Sequence, residues 1–98
     1  MSWNEYGTKL ITADGESLSA GDRTRVKAMH ILSGGGGAAV VSLKNNGASG
    51  TIYITETGTV STGKTFYYGE DGFIFPNGCY VDVDTNTTSV LLSLKKDV

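Results

Sequence analysis

The sequence predicts an all-β protein: a single-domain antiparallel β-sandwich or jelly-roll-like barrel of seven or eight short strands. Three observations favour this fold class. Gly, Thr, Ser and Asn make up 40 of the 98 residues, so good helix formers are scarce. Short segments alternate between apolar and polar residues with a period of two, as strands with one buried face do. Turn-forming residues interrupt these segments about every 8 to 12 residues, which is typical of sandwiches and barrels.

Length and composition set the domain organisation. A chain of 98 residues has room for one domain, so we treat residues 1–98 as that domain and residues 1–7 as an extended N-terminal arm. With 39% hydrophobic residues and a net charge of −2, the chain is expected to fold. No apolar run approaches about 18 residues, and MSWNEYGTKL lacks the regions of a signal peptide. We therefore expect no membrane contact and synthesis in a cytoplasm.

The chain opens with an alternating segment over residues 8–13 and a second one over 16–20. Asp14-Gly15 lies between them, and this pair favours the positive φ angles of a type I′ turn, so the sequence predicts a hairpin. Residues 38–44 and 51–55 flank the turn-rich NNGASG and predict another hairpin, with the Val and Ile content that strands prefer.

Residues 22–32 fit two interpretations. Asp22 could cap a helix whose apolar positions lie three apart. A strand would direct one set of side chains inward: Val26, Ala28, His30 and Leu32. We favour the strand because every other segment is β-like and one short helix is marginal without tertiary packing.

The C-terminal half predicts four more strands. A loop from residue 59 leads to a strand at 65–68, and Gly72 precedes a strand at 73–75. After Pro76-Asn77-Gly78, residues 79–84 alternate cleanly, and the closing strand covers 89–95. In the 79–84 strand one set is expected in the core: Cys79, Val81 and Val83.

A match to G-x-x-x-x-G-K-[ST] spans residues 58–65. In a phosphate-binding loop this motif follows a buried strand and opens a helix. The following residues, FYYGEDGFIFPNG, are incompatible with a long helix, so we expect no nucleotide binding and no other cofactor.

Other residues also suggest chemistry in isolation. Asp82, Asp84 and Asn86 have the D-x-D-x-N spacing of a calcium loop, but later ligand positions hold Thr and Ser, so we favour an Asx-type turn. His30 has no obvious catalytic partner, and Cys79 lies on an apolar strand face where a thiol is usually inert. We therefore expect no metal site and no enzyme.

The candidate partner-binding residues are basic or aromatic. Arg23, Arg25 and Lys27 form a basic stripe, but the acidic balance of the chain argues against nucleic acid. Aromatic residues beside polar segments are common at protein interfaces and sugar sites. These aromatic candidates are Trp3, Tyr6, Tyr67 and Tyr68.

Three stretches together resemble a known group of proteins: GDRTRVKAMHIL, VVSLKNNGASGTIYIT and GEDGFIFPNGCYVDVD. In this order they are similar to small β-rich virion proteins of tailed bacteriophages, mainly those of marine bacteria. The resemblance covers about three quarters of the chain. It implies a non-enzymatic head decoration or cement protein on the capsid surface, assembled in the host cytoplasm.

The resemblance also implies a partner, the major capsid protein, with this chain as a homo-oligomer or in many copies on the lattice. We expect residues 1–7, with Trp3 and Tyr6, to pair with a neighbouring sheet edge. The alternative is a tail or fibre component, or a carbohydrate-binding module that uses Trp3, Tyr67 and Tyr68 to stack on sugar rings.

Overall fold

The computed structural model describes residues 6–18 and 21–96. Within these ranges the chain forms strands and turns, and no helix there is long and apolar enough to cross a membrane. The nine strands are β1 (Gly7–Ile11), β2 (Gly15–Glu16), β3 (Thr24–Ser33), β4 (Val40–Asn45), β5 (Thr51–Thr57), β6 (Gly63–Tyr67), β7 (Phe73–Phe75), β8 (Cys79–Val83) and β9 (Thr87–Lys96).

Two antiparallel sheets pack as a sandwich. The first sheet has the order β1-β9-β3-β6, with β7 also paired to β3, and the second has the order β2-β8-β4-β5. Strand β7 pairs with the first part of β3 and β6 with the rest, so the two share one position in the sheet. Eight strand positions in this order form a jelly roll. The predicted fold class is confirmed. The count is nine strands instead of eight because β6 and β7 together fill one strand position beside β3.

The predicted hairpin at Asp14-Gly15 is wrong. Strand β1 pairs with β9 in the first sheet, whereas β2 pairs with β8 in the second. The Asp14 carboxylate accepts a hydrogen bond of 2.8 Å from the Val83 N–H, and Gly15 does not have a positive φ. The segment therefore carries the chain from one sheet to the other instead of turning it back.

The second predicted hairpin is confirmed as β4 and β5. Its turn contains Asn46 with φ 75° and Gly47 with φ 83°, and Gly50 N–H donates to the Gly47 carbonyl at 3.0 Å. Asn and Gly are the residues that adopt these positive φ angles at the lowest cost.

Residues 24–33 form strand β3, as favoured, but its inward set differs from the prediction. The pairing of β3 with β9 shifts between Val26 and Ala28, and this bulge leaves Lys27 as an extra residue. A shift of one residue exchanges the two faces of a strand. Val26 is buried as predicted, whereas Ala28, His30 and Leu32 lie on the outer face, and the core receives Met29, Ile31 and Ser33.

The core lies between the sheets and is lined by apolar side chains. Its largest fully buried members are Phe75, Met29, Ile31, Leu43, Leu92 and Leu94. In β8, Cys79 and Val81 are buried and Val83 is half-buried, so the predicted alternation is confirmed. Where the edges β5 and β7 meet, Tyr53 stacks on Phe75 with ring centroids 5.4 Å apart. This contact closes one side of the sandwich.

Candidate contact surface

The outer face of the first sheet presents large apolar side chains to solvent. Cross-strand pairing aligns Leu10 of β1 with Leu91 of β9, and Leu91 with His30 of β3. Leu10 is 60% exposed, Leu91 is 40% exposed, and Leu32, two residues beyond His30, is 37% exposed. These three leucines form what we call the leucine row. Scattered exposed apolar residues are ordinary, but a row across three strands is typical of a contact surface.

His30 lies flat on the sheet beside the leucine row. Its Nδ1 is hydrogen-bonded to Oγ1 of Thr65 on the neighbouring strand at 2.7 Å. A Cβ at Gly63 would lie 2.5 Å from His30 Nε2, so the imidazole covers the Cα of this glycine. The glycine thus lets the ring lie against the sheet and keeps this part of the face level.

The cross-strand row next to the leucine row holds small side chains and ends at Tyr67. Pairing aligns Thr8, Ser93 and Ala28 across β1, β9 and β3, and Ala28 pairs with Tyr67 of β6. Tyr67 is 58% exposed, and its hydroxyl donates to Glu70 Oε1 at 3.1 Å. The face is therefore shallow between the leucines and this ring.

A basic and aromatic cluster lies at one end of the same face. The ammonium groups of Lys27 and Lys95 each lie 5.1 Å from the centroid of the Tyr6 ring, within the range of cation–π attraction. The Tyr6 hydroxyl donates to the Asp71 carbonyl at 3.2 Å, and Arg25 Nη1 donates to the same oxygen. We call Tyr6, Arg25, Lys27 and Lys95 the basic cluster.

Gly72 allows this cluster to close. Its φ is 71°, and a Cβ at this position would lie 2.9 Å from Arg25 Cγ, Tyr6 Oη and the Val26 carbonyl. The loop between β6 and β7 can approach β3 so closely only because residue 72 has no side chain.

The predicted partner-binding residues divide between several places. Tyr6, Arg25 and Lys27 come together in the basic cluster, whereas Arg23 is exposed just before β3 begins. Trp3 lies outside the described residues. Gly7, expected in the N-terminal arm, is the first residue of β1 and pairs with Leu94.

Tyr67 and Tyr68 point to opposite sides. Tyr68 packs against the core, and its hydroxyl donates to Glu56 Oε2 at 3.0 Å. Burial, reinforced by this hydrogen bond to a carboxylate, raises the pKa of Tyr68 above its ordinary value. Only Tyr67 of this pair is available on the outer face.

The segment matching a phosphate-binding loop has a different structure. Gly63 begins strand β6, and Lys64 Nζ lies 5.3 Å from the Phe66 ring centroid. Gly58 is buried, and its N–H donates to the Ala39 carbonyl at 2.8 Å. The residues after Lys64 therefore form a strand where a phosphate loop needs a helix.

The aspartates of the calcium-like spacing serve the fold. Asp82 Oδ2 forms an ion pair of 2.9 Å with Lys44 Nζ. Asp84 Oδ1 accepts from the Asn86 N–H at 3.1 Å and from the Thr87 hydroxyl at 2.8 Å, which confirms the predicted Asx-type turn. Among residues 6–18 and 21–96, no group of three or more His, Cys, Asp or Glu side chains is arranged to hold a metal ion.

Cys79 lies in the core, as predicted. Burial raises the pKa of its thiol to about 12. A thiol with so high a pKa is a poor nucleophile at neutral pH.

Sequence reasoning missed the leucine row and Lys95. The outward orientation of Leu10 and Leu91 could have been predicted, because neighbouring residues in a strand point to opposite faces. In TKLI and SVLLSLK, the burial of Ile11, Val90 and Leu92 forces Leu10 and Leu91 outward. No such signal exists for Leu32, whose orientation depends on the bulge at Lys27.

Comparison with known proteins gives little further information. The chain matches no protein-family model, and no curated protein is similar to it in sequence. One solved structure that is similar to this chain comes from work on Bacillus endospore appendages, described as a novel family of disulfide-linked pili. It is 11% identical, with a TM-score of 0.47, and the match covers 98% of this chain and 80% of that one.

Proposed function

We propose that this protein is a non-enzymatic structural component of a phage particle: a capsid decoration or cement protein that binds the lattice of the major capsid protein. The observation that carries the proposal is the leucine row, which exposes apolar side chains on the outer face of a sheet instead of in a pocket. Such a surface suits another macromolecule better than a small substrate. The resemblance to phage virion proteins supplies the kind of assembly.

A sandwich of this size would stabilise a shell through repetition. One copy offers a modest contact area, but many copies on a symmetric lattice add their contacts where each copy touches two neighbouring subunits. Because only the assembled shell presents both subunits in position, binding favours the assembled state by mass action.

Stoichiometry tests the proposal directly. In purified particles, we expect the amount of this protein to be comparable with that of the major capsid protein, as measured by quantitative gel densitometry. Particles made without the protein should release their DNA at a lower temperature, and added purified protein should restore the original temperature.

Two other results would contradict a decoration role. A few copies per particle, recovered with detached tails, would identify a tail or fibre component. Absence from particles would exclude a virion role. The carbohydrate-binding alternative loses support because Tyr67 and Tyr68 do not share a face and so cannot form an aromatic platform together.

A further inference from the structure

The two sheets carry opposite charge. The strands of the first sheet contain six of the eight Lys and Arg residues and neither Asp nor Glu: Lys9, Arg25, Lys27, Lys64, Lys95 and Lys96. The strands of the second sheet contain one cation and three acids: Lys44, Glu16, Glu56 and Asp82. By register, three of these six cations lie on the outer face of the first sheet: Arg25, Lys27 and Lys95. A chain with a net charge of −2 therefore has one sheet whose outer face is basic.

Within the described residues, two cations on the outer face have no carboxylate partner. Lys27 and Lys95 contact the Tyr6 ring, and neither forms an ion pair within the described part of the chain. Two acidic groups of nearby loops contact other residues: Glu70 accepts from Tyr67, and Asp22 lies 3.7 Å from Lys96. An acidic partner could approach these two ammonium groups without displacing a carboxylate of residues 6–18 or 21–96.

The leucine row distinguishes a protein partner from nucleic acid. Nucleic acid is bound mainly through its phosphates, and exposed leucines contribute little to that contact. Protein interfaces instead combine an apolar centre with a polar rim. On the outer face, the leucine row crosses β1, β9 and β3 and the basic cluster lies at one end, so the face combines apolar and charged parts as a protein interface does.

A second copy of this chain is a poor occupant. Two copies that met through this face would bring together two surfaces whose strands carry Arg25, Lys27 and Lys95, and like charges across an interface are unfavourable. The second sheet could offer acids to the first sheet of another copy, but its strands hold only three, of which Asp82 is paired with Lys44 and Glu56 accepts from Tyr68. A different protein with unpaired acidic groups is the better complement.

We propose that the outer face of the first sheet docks this protein on the phage shell, against a surface of the major capsid protein that is apolar and bordered by carboxylates. The inference rests on the proposed function and adds the orientation of the bound molecule. The second sheet then faces away from the shell, towards solvent.

The size of the face fits a weak, repeated contact. Four strands of up to ten residues cover roughly 650 Å², from strand spacings of about 4.8 Å and rises of about 3.4 Å. Stable pairwise complexes bury about 800 Å² on each partner. Docking through this face alone is therefore expected to depend on avidity along the lattice.

Matched substitutions on the two sheets test the orientation. Leu10→Ser on edge strand β1 is compared with Ile52→Ser on edge strand β5, since the two side chains are 60% and 54% exposed. Lys95→Gln is compared with Lys44→Gln. Binding of each full-length variant to particles prepared without this protein is measured by co-sedimentation, and thermal unfolding confirms that each variant is folded.

We expect Leu10→Ser and Lys95→Gln to weaken particle binding about tenfold each, whereas Ile52→Ser and Lys44→Gln bind within about twofold of wild type. Binding of the wild type should also weaken as salt is raised, and the Lys27→Gln/Lys95→Gln double variant should reduce that dependence.

Each contrary result has its own meaning. If the wild type binds particles but only the second-sheet variants lose binding, the orientation is wrong and the proposed function stands. If the wild type does not bind particles at all, both fail. Duplex DNA binding that Lys95→Gln abolishes would overturn the choice of a protein partner, as would self-association that Leu10→Ser abolishes.

Discussion

Substitution by alanine is expected to have opposite effects on stability at two buried serines. Ser33 ends strand β3, and its Oγ accepts a hydrogen bond of 3.0 Å from the buried N–H of Ala39. Ser17 follows β2 and is equally shielded from water, but its Oγ has no hydrogen-bond partner. In both cases alanine keeps the Cβ and removes only the hydroxyl, so each variant is a control for the other.

The expected magnitudes follow from the cost of leaving a buried polar group unpaired. Ser33→Ala leaves the buried Ala39 N–H without its hydrogen-bond partner, which lowers the free energy of unfolding by about 1 to 3 kcal/mol. Ser17→Ala removes a hydroxyl that was desolvated without compensation, so it should be neutral or stabilise by up to about 1 kcal/mol. The unfolding free energies of the two variants should therefore differ by about 1 to 4 kcal/mol.

Urea denaturation followed by far-UV circular dichroism measures both changes. For a domain of this size, a loss of 2 kcal/mol lowers the unfolding midpoint temperature by about 8 to 16 °C, so thermal unfolding gives a second readout. Equal stability of the two variants, or a larger loss for Ser17→Ala, would refute this account of the buried polar groups.

Three further predictions concern the core and one turn. Because the folded-state pKa of Cys79 is raised from 9.0 to about 12, its contribution to stability is complete below pH 9 and is lost as the pH rises towards 12. Chemical denaturation across that range, with Cys79→Ala as control, should show the difference, and thiol reagents should label native protein only at the rate of unfolding. Tyr68→Phe removes the hydrogen bond to Glu56 and should cost about 1 kcal/mol in urea denaturation; an unchanged midpoint would contradict it. Gly50→Ala would place a Cβ against the Asn45 backbone carbonyl, so we expect thermal unfolding to show a loss of several kcal/mol, and full stability would disprove the close approach.

Much of the fold could be predicted from local sequence because strands and turns leave local signals. The alternation in 79–84 identifies β8 and its buried side, and Asn46-Gly47 identifies the turn between β4 and β5. The Asp14-Gly15 signal misled because a turn pair does not specify which strands it joins. The chain crosses between the sheets there, and the Asp14 carboxylate is engaged with β8.

The candidate contact surface was less predictable because it depends on register over long sequence distances. Leu10, Leu91 and His30 are far apart in the chain, and only the pairing of β1, β9 and β3 aligns them. The basic stripe was visible in the sequence as alternating cations. Its association with Tyr6 and Lys95 requires the two ends of the chain to meet across the first sheet.

One extra residue in β3 connects the core to the proposed contact surface. Without the bulge at Lys27, a regular alternation from Val26 would direct His30 and Leu32 inward and Met29 to solvent. The Tyr68 N–H donates to the Lys27 carbonyl at 2.8 Å, so the carbonyl of the extra residue has a hydrogen-bond partner. Tyr68 directly follows β6, which pairs with β3 beyond the end of β7. The bulge in β3 therefore lies at the point where its partner strand changes from β7 to β6. Because that bulge turns Leu32 outward and leaves the Lys27 ammonium beside Tyr6, the same irregularity completes the core and builds both the apolar and the basic part of the outer face.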